Sequence, residues 1–139
     1  MPKICFLGAG STVFVRNVLG DCMRADALRG STVSLVDLDP DRLRDSRLVV
    51  ERLNASLKAG FNIEAWLAED AEAALKSADY VINAIQVGGY EPATVRDFEI
   101  PKKFGLRQTI GDTLGIGGIF RALRTIPVLL RYCRIMEKV

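Results

Sequence analysis

The sequence predicts an α/β fold: a doubly wound parallel sheet of about four strands in the order 3-2-1-4, incomplete, with helices on both faces. Three observations carry that expectation. Short apolar runs bounded by glycine or acidic residues recur at 3–7, 32–39, 61–67 and 79–85. Stretches with amphipathic helical spacing fill the gaps between them. The first run passes directly into a glycine pair and then a helix, as the opening of a βαβ unit does. A chain of 139 residues suits one domain, so residues 1–139 are read as a single unit. That length can bury a core without disulfides or metals.

"KICFL" (3–7) reads as a buried strand because it is apolar without a break. In "STVFVRNVLGDCMRADAL" (11–28), Val15, Val18, Leu19 and Cys22 recur at helical spacing, which predicts a helix despite Gly20. "TVSLVDLD" (32–39) is the second strand. "PDRLRDSRLVVERLNASLKAG" (40–60) has Pro40 at a helix start and Gly60 at its stop, with Leu43, Val50, Leu53 and Leu57 in one stripe. "FNIEAWL" (61–67) alternates as a half-exposed strand does, "DAEAALKSA" (70–78) is a short helix and "DYVINAI" (79–85) a fourth strand. Residues 86–92 form a loop, and "PATVRDFEIPKKFG" (92–105) holds a helix broken at Pro101. A glycine-rich connection (106–118) leads into a last long helix, with a kink expected at Pro127. A complete doubly wound sheet carries further strands beyond the fourth, so the chain reads as the N-terminal part of a longer protein. An unpaired fourth strand predicts self-association into a homo-oligomer.

Composition excludes several classes. Nineteen basic residues against 17 acidic ones leave a net charge of +2, too small to call for nucleic acid or an anionic membrane. Arg121, Arg124, Arg131, Arg134 and Lys138 share one face of the last helix, and Ile119, Leu123, Ile126, Leu130 and Cys133 take much of the rest. That pattern predicts an ordinary amphipathic helix with a solvated basic face, and no aromatic interleaving points to base stacking. No apolar run is long enough to span a bilayer, and "MPKICFLGAG" is too brief for a signal-peptide core, so a cytoplasmic protein is expected. Cys5, Cys22 and Cys133 lack CxxC spacing and read as buried, reduced thiols. The chain has no histidine, which excludes a Ser–His or Cys–His pair and a His-ligated metal within these residues.

Gly8 and Gly10 stand where the first strand turns into the first helix. In a Rossmann-like reading Gly8 permits the tight turn, and Gly10 lets the backbone approach a pyrophosphate. The amides of Gly10, Ser11 and Thr12 would face the phosphates, with the helix dipole behind them. Val13 occupies the place of the third glycine and would push the helix outward. A turn without a ligand is the other reading of the same residues. Asp37, ending strand 2, suits the hydroxyls of an adenosine ribose and would repel a 2′-phosphate, which favours NAD over NADP. Asp39 could join the adenosine end or cap the next helix, and Arg42 could stack on adenine or neutralise the acidic cluster. Asn83, Ala84, Ile85 and Gln86 would run past the nicotinamide ribose at the carboxyl edge of the sheet. Asp112 could contact a substrate, although its pattern alone favours a turn former.

"GAGSTVFVRNVLGD" (8–21), "DLDPDRL" (37–43) and "GGYEPATVRDFEIPKKFGLRQTIGDTLGIGGIFRALRTIP" (88–127) together resemble the NAD-dependent family 4 glycoside hydrolases, in their α-galactosidase branch. The resemblance covers nearly the whole chain but only the N-terminal part of the family's longer proteins. It implies pyrophosphate binding by Gly8, Gly10, Ser11 and Thr12, and ribose binding by Asp37. Asp39 and Arg42 would complete the adenosine end. Asn83, Ala84, Gln86 and Val87 would border the nicotinamide half, and Asp112 would face a small sugar substrate.

The chemistry implied departs from the two-carboxylate rule of most glycosidases. NAD⁺ takes a hydride from C3 of the sugar, a base removes the acidified C2 proton, the leaving group is eliminated, water adds and the hydride returns. Mn²⁺ stabilises the developing enolate. The metal ligands and the base are expected beyond Val139, so no catalytic residue is expected within these residues, which alone would bind NAD weakly and hydrolyse nothing.

Thr94 stands where members acting on 6-phosphorylated sugars carry an arginine, with Arg96 two residues on, and this favours a non-phosphorylated galactoside. Ile116 replaces the proline of the family's "GPGG". Two other readings share the glycine loop: a malate- or lactate-dehydrogenase-like enzyme and a non-catalytic nucleotide-binding module. The dehydrogenase would carry an arginine-rich loop after strand 4, and "QVGGYEPATV" has no arginine before Arg96.

Overall fold

The computed structural model describes residues 1–107 and 115–139. They fall into two compact units, Met1–Ile85 with Ile135–Val139, and Gln86–Arg134.

The first unit contains β1 (Lys3–Leu7), α1 (Thr12–Arg24), β2 (Thr32–Asp37), α2 (Pro40–Leu57), β3 (Asn62–Leu67), α3 (Ala71–Leu75) and β4 (Tyr80–Asn83). The strands form one parallel sheet in the order β3-β2-β1-β4, as the sequence predicts. Phe6 lies opposite Leu35 on one side and Ile82 on the other. Phe6, Leu35 and Val33 are fully buried with Val15 and Leu19 of α1 and Val50 of α2. Each such side chain removes enough apolar surface from water to contribute about 1.5–3 kcal/mol. A central parallel strand is covered on both faces, which is why β1 is apolar without alternation.

Several boundaries move for identifiable reasons. The first helix ends at Arg24 because Ala25 turns extended, and 26–28 form a separate single turn. Val15, Leu19 and Met23 complete its buried stripe by then. α2 ends before Gly60: Lys58 adopts the left-handed conformation at φ 51°, and its N–H bonds back to the Ala55 carbonyl. The third helix is only five residues long. β4 stops at Asn83 because its partner β1 ends at Leu7. Val13 is 66% exposed, so it does not wedge the helix away from the strand. Gly20 is instead the close-packing position: a Cβ there would meet Leu53 of α2 at 3.3 Å.

The second unit holds an irregular turn at Gly89–Thr94, α4 (Val95–Lys102) and most of α5 (Ile116–Met136). Pro101 does not break α4. It lies buried in the last turn, and the chain leaves the helix just after it, so its ring interrupts only the end of the helix. α5 is a single helix with Pro127 inside it. Arg131, Arg134 and Lys138 are exposed as expected, but the apolar stripe and Arg124 depart from the expectation. Ile119, Leu123, Ile126 and Leu130 are exposed, while Arg124 is drawn into contact with a buried carboxylate described below. No helix among the described residues is long and apolar enough to cross a membrane.

The cysteines differ from one another. Cys5 is buried in β1, Cys22 is half-buried and Cys133, expected to be buried, is exposed on α5. Burial pushes the Cys5 thiol up to about 11 and raises that of Cys22 as well. Thiolate is the reactive form, so very little of it exists at Cys5 at neutral pH. Iodoacetamide at pH 7.5 should therefore label Cys133 first, Cys22 more slowly and Cys5 only after unfolding. Peptide mass spectrometry over time reads the order. Labelling of Cys5 in the folded chain at the rate of Cys133 would contradict this account.

Candidate functional site

The carboxyl ends of β1, β2 and β4 bring together the residues singled out in the first unit. Gly8 leaves β1 at φ +86°, and its N–H and that of Ala9 both donate to the Val36 carbonyl at 2.9 Å. A Cβ on Gly8 would lie 2.6 Å from the Ala84 carbonyl carbon and oxygen and 2.8 Å from the Ile85 nitrogen. The glycine thus lets the turn pass directly against the chain that follows β4. That contact also fixes Ala84 beside the turn.

Gly10 differs from the expectation. Its N–H donates to Asp37 Oδ2 at 2.6 Å, and a Cβ there would sit 2.8 Å from the Asp37 carboxyl carbon. The chain itself therefore requires glycine at this position, because a carboxylate occupies the space of the missing side chain. The Ser11 N–H bonds to the Gly8 carbonyl at 3.3 Å. Ser11 provides no side-chain cap, and the first intrahelical bond runs from the Val15 N–H to the Ser11 carbonyl. The N–H groups of Thr12, Val13 and Phe14 consequently lack a partner within the helix. Those donors stand at the positive end of the helix dipole, whereas the Gly10 N–H is bonded to Asp37. The Thr12 hydroxyl lies 2.8 Å from the hydroxyl of buried Ser46 on α2, a tie that locks the two helices at this end.

Asp37 accepts from Gly10 through Oδ2 and from the Asp39 N–H through Oδ1 at 3.0 Å. A carboxylate has about four lone-pair sites, so acceptor capacity remains on both oxygens. Asp39 is the helix cap: its Oδ1 accepts from the N–H groups of Asp41 at 3.0 Å and Arg42 at 3.1 Å. Of its two open sequence readings, the structure realises the cap. Arg42 is exposed on the first turn of α2, and Asn83 is exposed at the end of β4.

Gln86 and Val87 belong to the second unit. The Gln86 amide donates to Thr94 Oγ1 at 3.0 Å, and the Val87 carbonyl accepts from Arg124 Nε at 3.0 Å. Thr94 is buried and Arg96 exposed, so the neutral residue occupies the inward position. Asp112 lies outside the described residues. Sequence reasoning missed Ser46, Asp97 and the inward role of Arg124. Asp97 and Arg124 meet across 27 positions, and no local pattern encodes such a pairing. Among the described residues no group of three or more His, Cys, Asp or Glu could hold a metal ion.

Comparison with known proteins gives this geometry its context. Residues 3–139 match the model of a family described as family 4 glycosyl hydrolase. The chain is 56% identical over 138 residues to an alpha-galactosidase of Bacillus subtilis (strain 168), covering 99% of this chain and 32% of that protein. It is 34% identical over 137 residues to an alpha-galactosidase of Rhizobium meliloti (strain 1021), covering 99% of this chain and 27% of that one. Among solved structures, it superposes with a TM-score of 0.80 on a 6-phospho-beta glucosidase from Thermotoga maritima determined with manganese, NAD+ and glucose-6-phosphate. That match has 27% identity and covers 100% of this chain and 32% of the other. The chain therefore spans between 27% and 32% of the length of these relatives. With the sheet order, the glycine turn and a family match that runs from the first strand to Val139, the chain belongs to the family 4 glycosyl hydrolases.

Proposed function

We propose that this chain is the NAD-binding portion of a family 4 α-galactosidase-like enzyme. The observation that carries the reading is the turn Gly8–Gly10 latched to Asp37 at the carboxyl edge of a parallel sheet in the order 3-2-1-4. The residues fit the dinucleotide in three ways. The uncapped start of α1 offers three backbone donors to a pyrophosphate. Asp37 keeps acceptor capacity for ribose hydroxyls, and its charge opposes a 2′-phosphate. The missing Cβ atoms at Gly8 and Gly10 keep the turn tight against Ala84 and Asp37.

The remaining assignments extend that site. Ser11 and Thr12 lead the helix toward the pyrophosphate. Asp39 acts on the adenosine end by orienting the start of α2, where Arg42 is presented. Asn83 and Ala84, followed along the chain by Gln86 and Val87, border the nicotinamide half, and Asp112 faces the sugar. In the whole enzyme NAD⁺ supplies the hydride acceptor for oxidation at C3 of the sugar. This chain's residues bind and orient that cofactor. The manganese and the proton-abstracting base are assigned to the rest of the enzyme, and the chain alone is not expected to hydrolyse a glycoside. Thr94, buried and neutral where phosphorylated sugars call for arginine, supports a non-phosphorylated galactoside, as does the 56% identical α-galactosidase.

Calorimetric titration tests the cofactor reading. NAD⁺ should give a saturable heat, and NADP⁺ should bind at least about tenfold more weakly because a like charge meets Asp37. A chain that is folded by circular dichroism yet takes up no NAD⁺ at millimolar concentration ends the proposal.

A further inference from the structure

Asp97 on α4 and Arg124 on α5 form a pair that the cofactor assignments leave unused. The Asp97 side chain is 3% exposed and that of Arg124 24%. Arg124 Nη1 donates to Asp97 Oδ1 at 2.8 Å and Nη2 donates to Oδ2, a two-pronged bond. The third donor of the guanidinium, Nε, reaches the Val87 carbonyl at 3.0 Å. That hydrogen bonding to Asp97 raises the Arg124 pKa, which keeps the group charged.

The loop is held at further points. Thr94 Oγ1 accepts from the Gln86 amide at 3.0 Å and donates to the Gly89 carbonyl at 3.3 Å. Gly88 turns at φ +88°, and a Cβ there would strike the Ala93 Cβ at 2.6 Å. The Gln86 side chain and the Gly89 carbonyl are thereby tied to Thr94 in the turn before α4, and the Val87 carbonyl to Arg124 of α5.

We propose that the Arg124–Asp97 pair is a positioning device that fixes the loop 86–89 in one conformation for the nicotinamide half of the dinucleotide. The inference rests on the NAD reading above. Its physical basis is geometric. A buried ion pair is a poor source of net stability, since desolvation offsets much of the attraction. A planar guanidinium held at two points has a fixed direction, and its Nε–H is then aimed at one carbonyl. Lysine at 124 could hold the charge without fixing that direction. A loop already ordered before binding loses less conformational freedom when a ligand arrives, so the benefit falls on the ligand that touches the loop. Adenosine and phosphate contacts, assigned above to Gly8–Thr12 and Asp37, should not feel it.

Three variants of the full chain test this: Arg124→Lys, Asp97→Asn and Thr94→Val. The last removes the Gln86 and Gly89 ties, and the Arg121 Nη2 bond to the same hydroxyl at 3.4 Å, but leaves the Arg124–Asp97 pair itself intact, so it stays informative if the first two fail to fold. Each is titrated with NAD⁺ and with ADP, which lacks the nicotinamide ribose. NAD⁺ affinity should fall about tenfold in each, because the loop must then be ordered on binding, while ADP affinity stays within about twofold. Equal losses for both ligands would reduce the pair to a fold anchor and overturn the proposal. Unchanged NAD⁺ affinity in folded Thr94→Val and Arg124→Lys would overturn it too. Wild-type chain that binds ADP and NAD⁺ equally well would show that the loop never meets the nicotinamide half, with nucleotide binding intact. Wild-type chain that binds neither removes the NAD reading itself, and this inference with it.

Discussion

Gly8→Ala should lower the melting temperature by roughly 10 °C, while Gly60→Ala lowers it by only a few degrees. Both glycines have positive φ, +86° at Gly8 and +73° at Gly60. Placing an L side chain in that region costs on the order of 1–2 kcal/mol in either case. The surroundings differ. A Cβ at Gly60 meets nothing within 4 Å, whereas at Gly8 it meets the Ala84 carbonyl at 2.6 Å and the Ile85 nitrogen at 2.8 Å. Those atoms are backbone and cannot rotate aside. Relief requires the chain after β4 to move, which strains the Ala84 N–H bond to the Leu7 carbonyl, 2.8 Å long. Overpacking of this kind adds about 1–3 kcal/mol. Paired thermal melts by circular dichroism separate the terms, because Gly60→Ala reports backbone strain alone. Equal shifts in the two variants would mean that Ala84 does not crowd Gly8. NAD⁺ affinity should fall with Gly8→Ala as well, since the displaced segment includes Asn83 and Ala84.

The contrast between these glycines shows what the sequence can and cannot carry. Gly8 was legible as a turn residue because a strand pattern ends just before it and a helix pattern starts just after. Its crowding against Ala84 was not, because that contact depends on β4 returning beside β1. The same division runs through the site. Strand order could be read from the run of apolar segments and crossover geometry, and the Asp39 cap from its place before Pro40. Gly10 was assigned to a ligand when its immediate need is the Asp37 carboxylate, 27 residues away. Helix ends moved where a residue other than glycine took the left-handed conformation, as Lys58 does at φ 51°. On α5 the periodicity of Ile119, Leu123, Ile126 and Leu130 gave a stripe but not which side of it would be covered. Arg124 was counted with the solvated arginines because periodicity places a residue on a face and says nothing about a carboxylate waiting there.

Asp37→Ala should cost NAD⁺ about a hundredfold or more in affinity, and the loss should be much smaller for NADP⁺. A carboxylate that accepts from two ribose hydroxyls makes charge-assisted bonds, each worth about 1.5–3 kcal/mol. Removing it has a second consequence. The Gly10 and Asp39 N–H groups, at 2.6 Å and 3.0 Å from the two carboxylate oxygens, lose their acceptor. The turn would loosen whichever cofactor is offered, so a fall in NAD⁺ affinity alone would not prove a ribose contact. The ratio of the two affinities does. Loosening affects NAD⁺ and NADP⁺ alike and cancels, while the lost ribose bonds penalise NAD⁺ and the lost negative charge relieves the 2′-phosphate of NADP⁺. Asp37→Asn refines the argument. Its single carbonyl oxygen can replace one of the two carboxylate oxygens, and its amide cannot accept from the other N–H. It should lie between wild type and Asp37→Ala in NAD⁺ affinity, yet already lose most of the discrimination, because the charge is gone. Calorimetry with both cofactors on all three proteins supplies the numbers. An NAD⁺ to NADP⁺ ratio unchanged from wild type in both variants would confine Asp37 to latching Gly10 and Asp39, and the adenosine end would have to be recognised elsewhere.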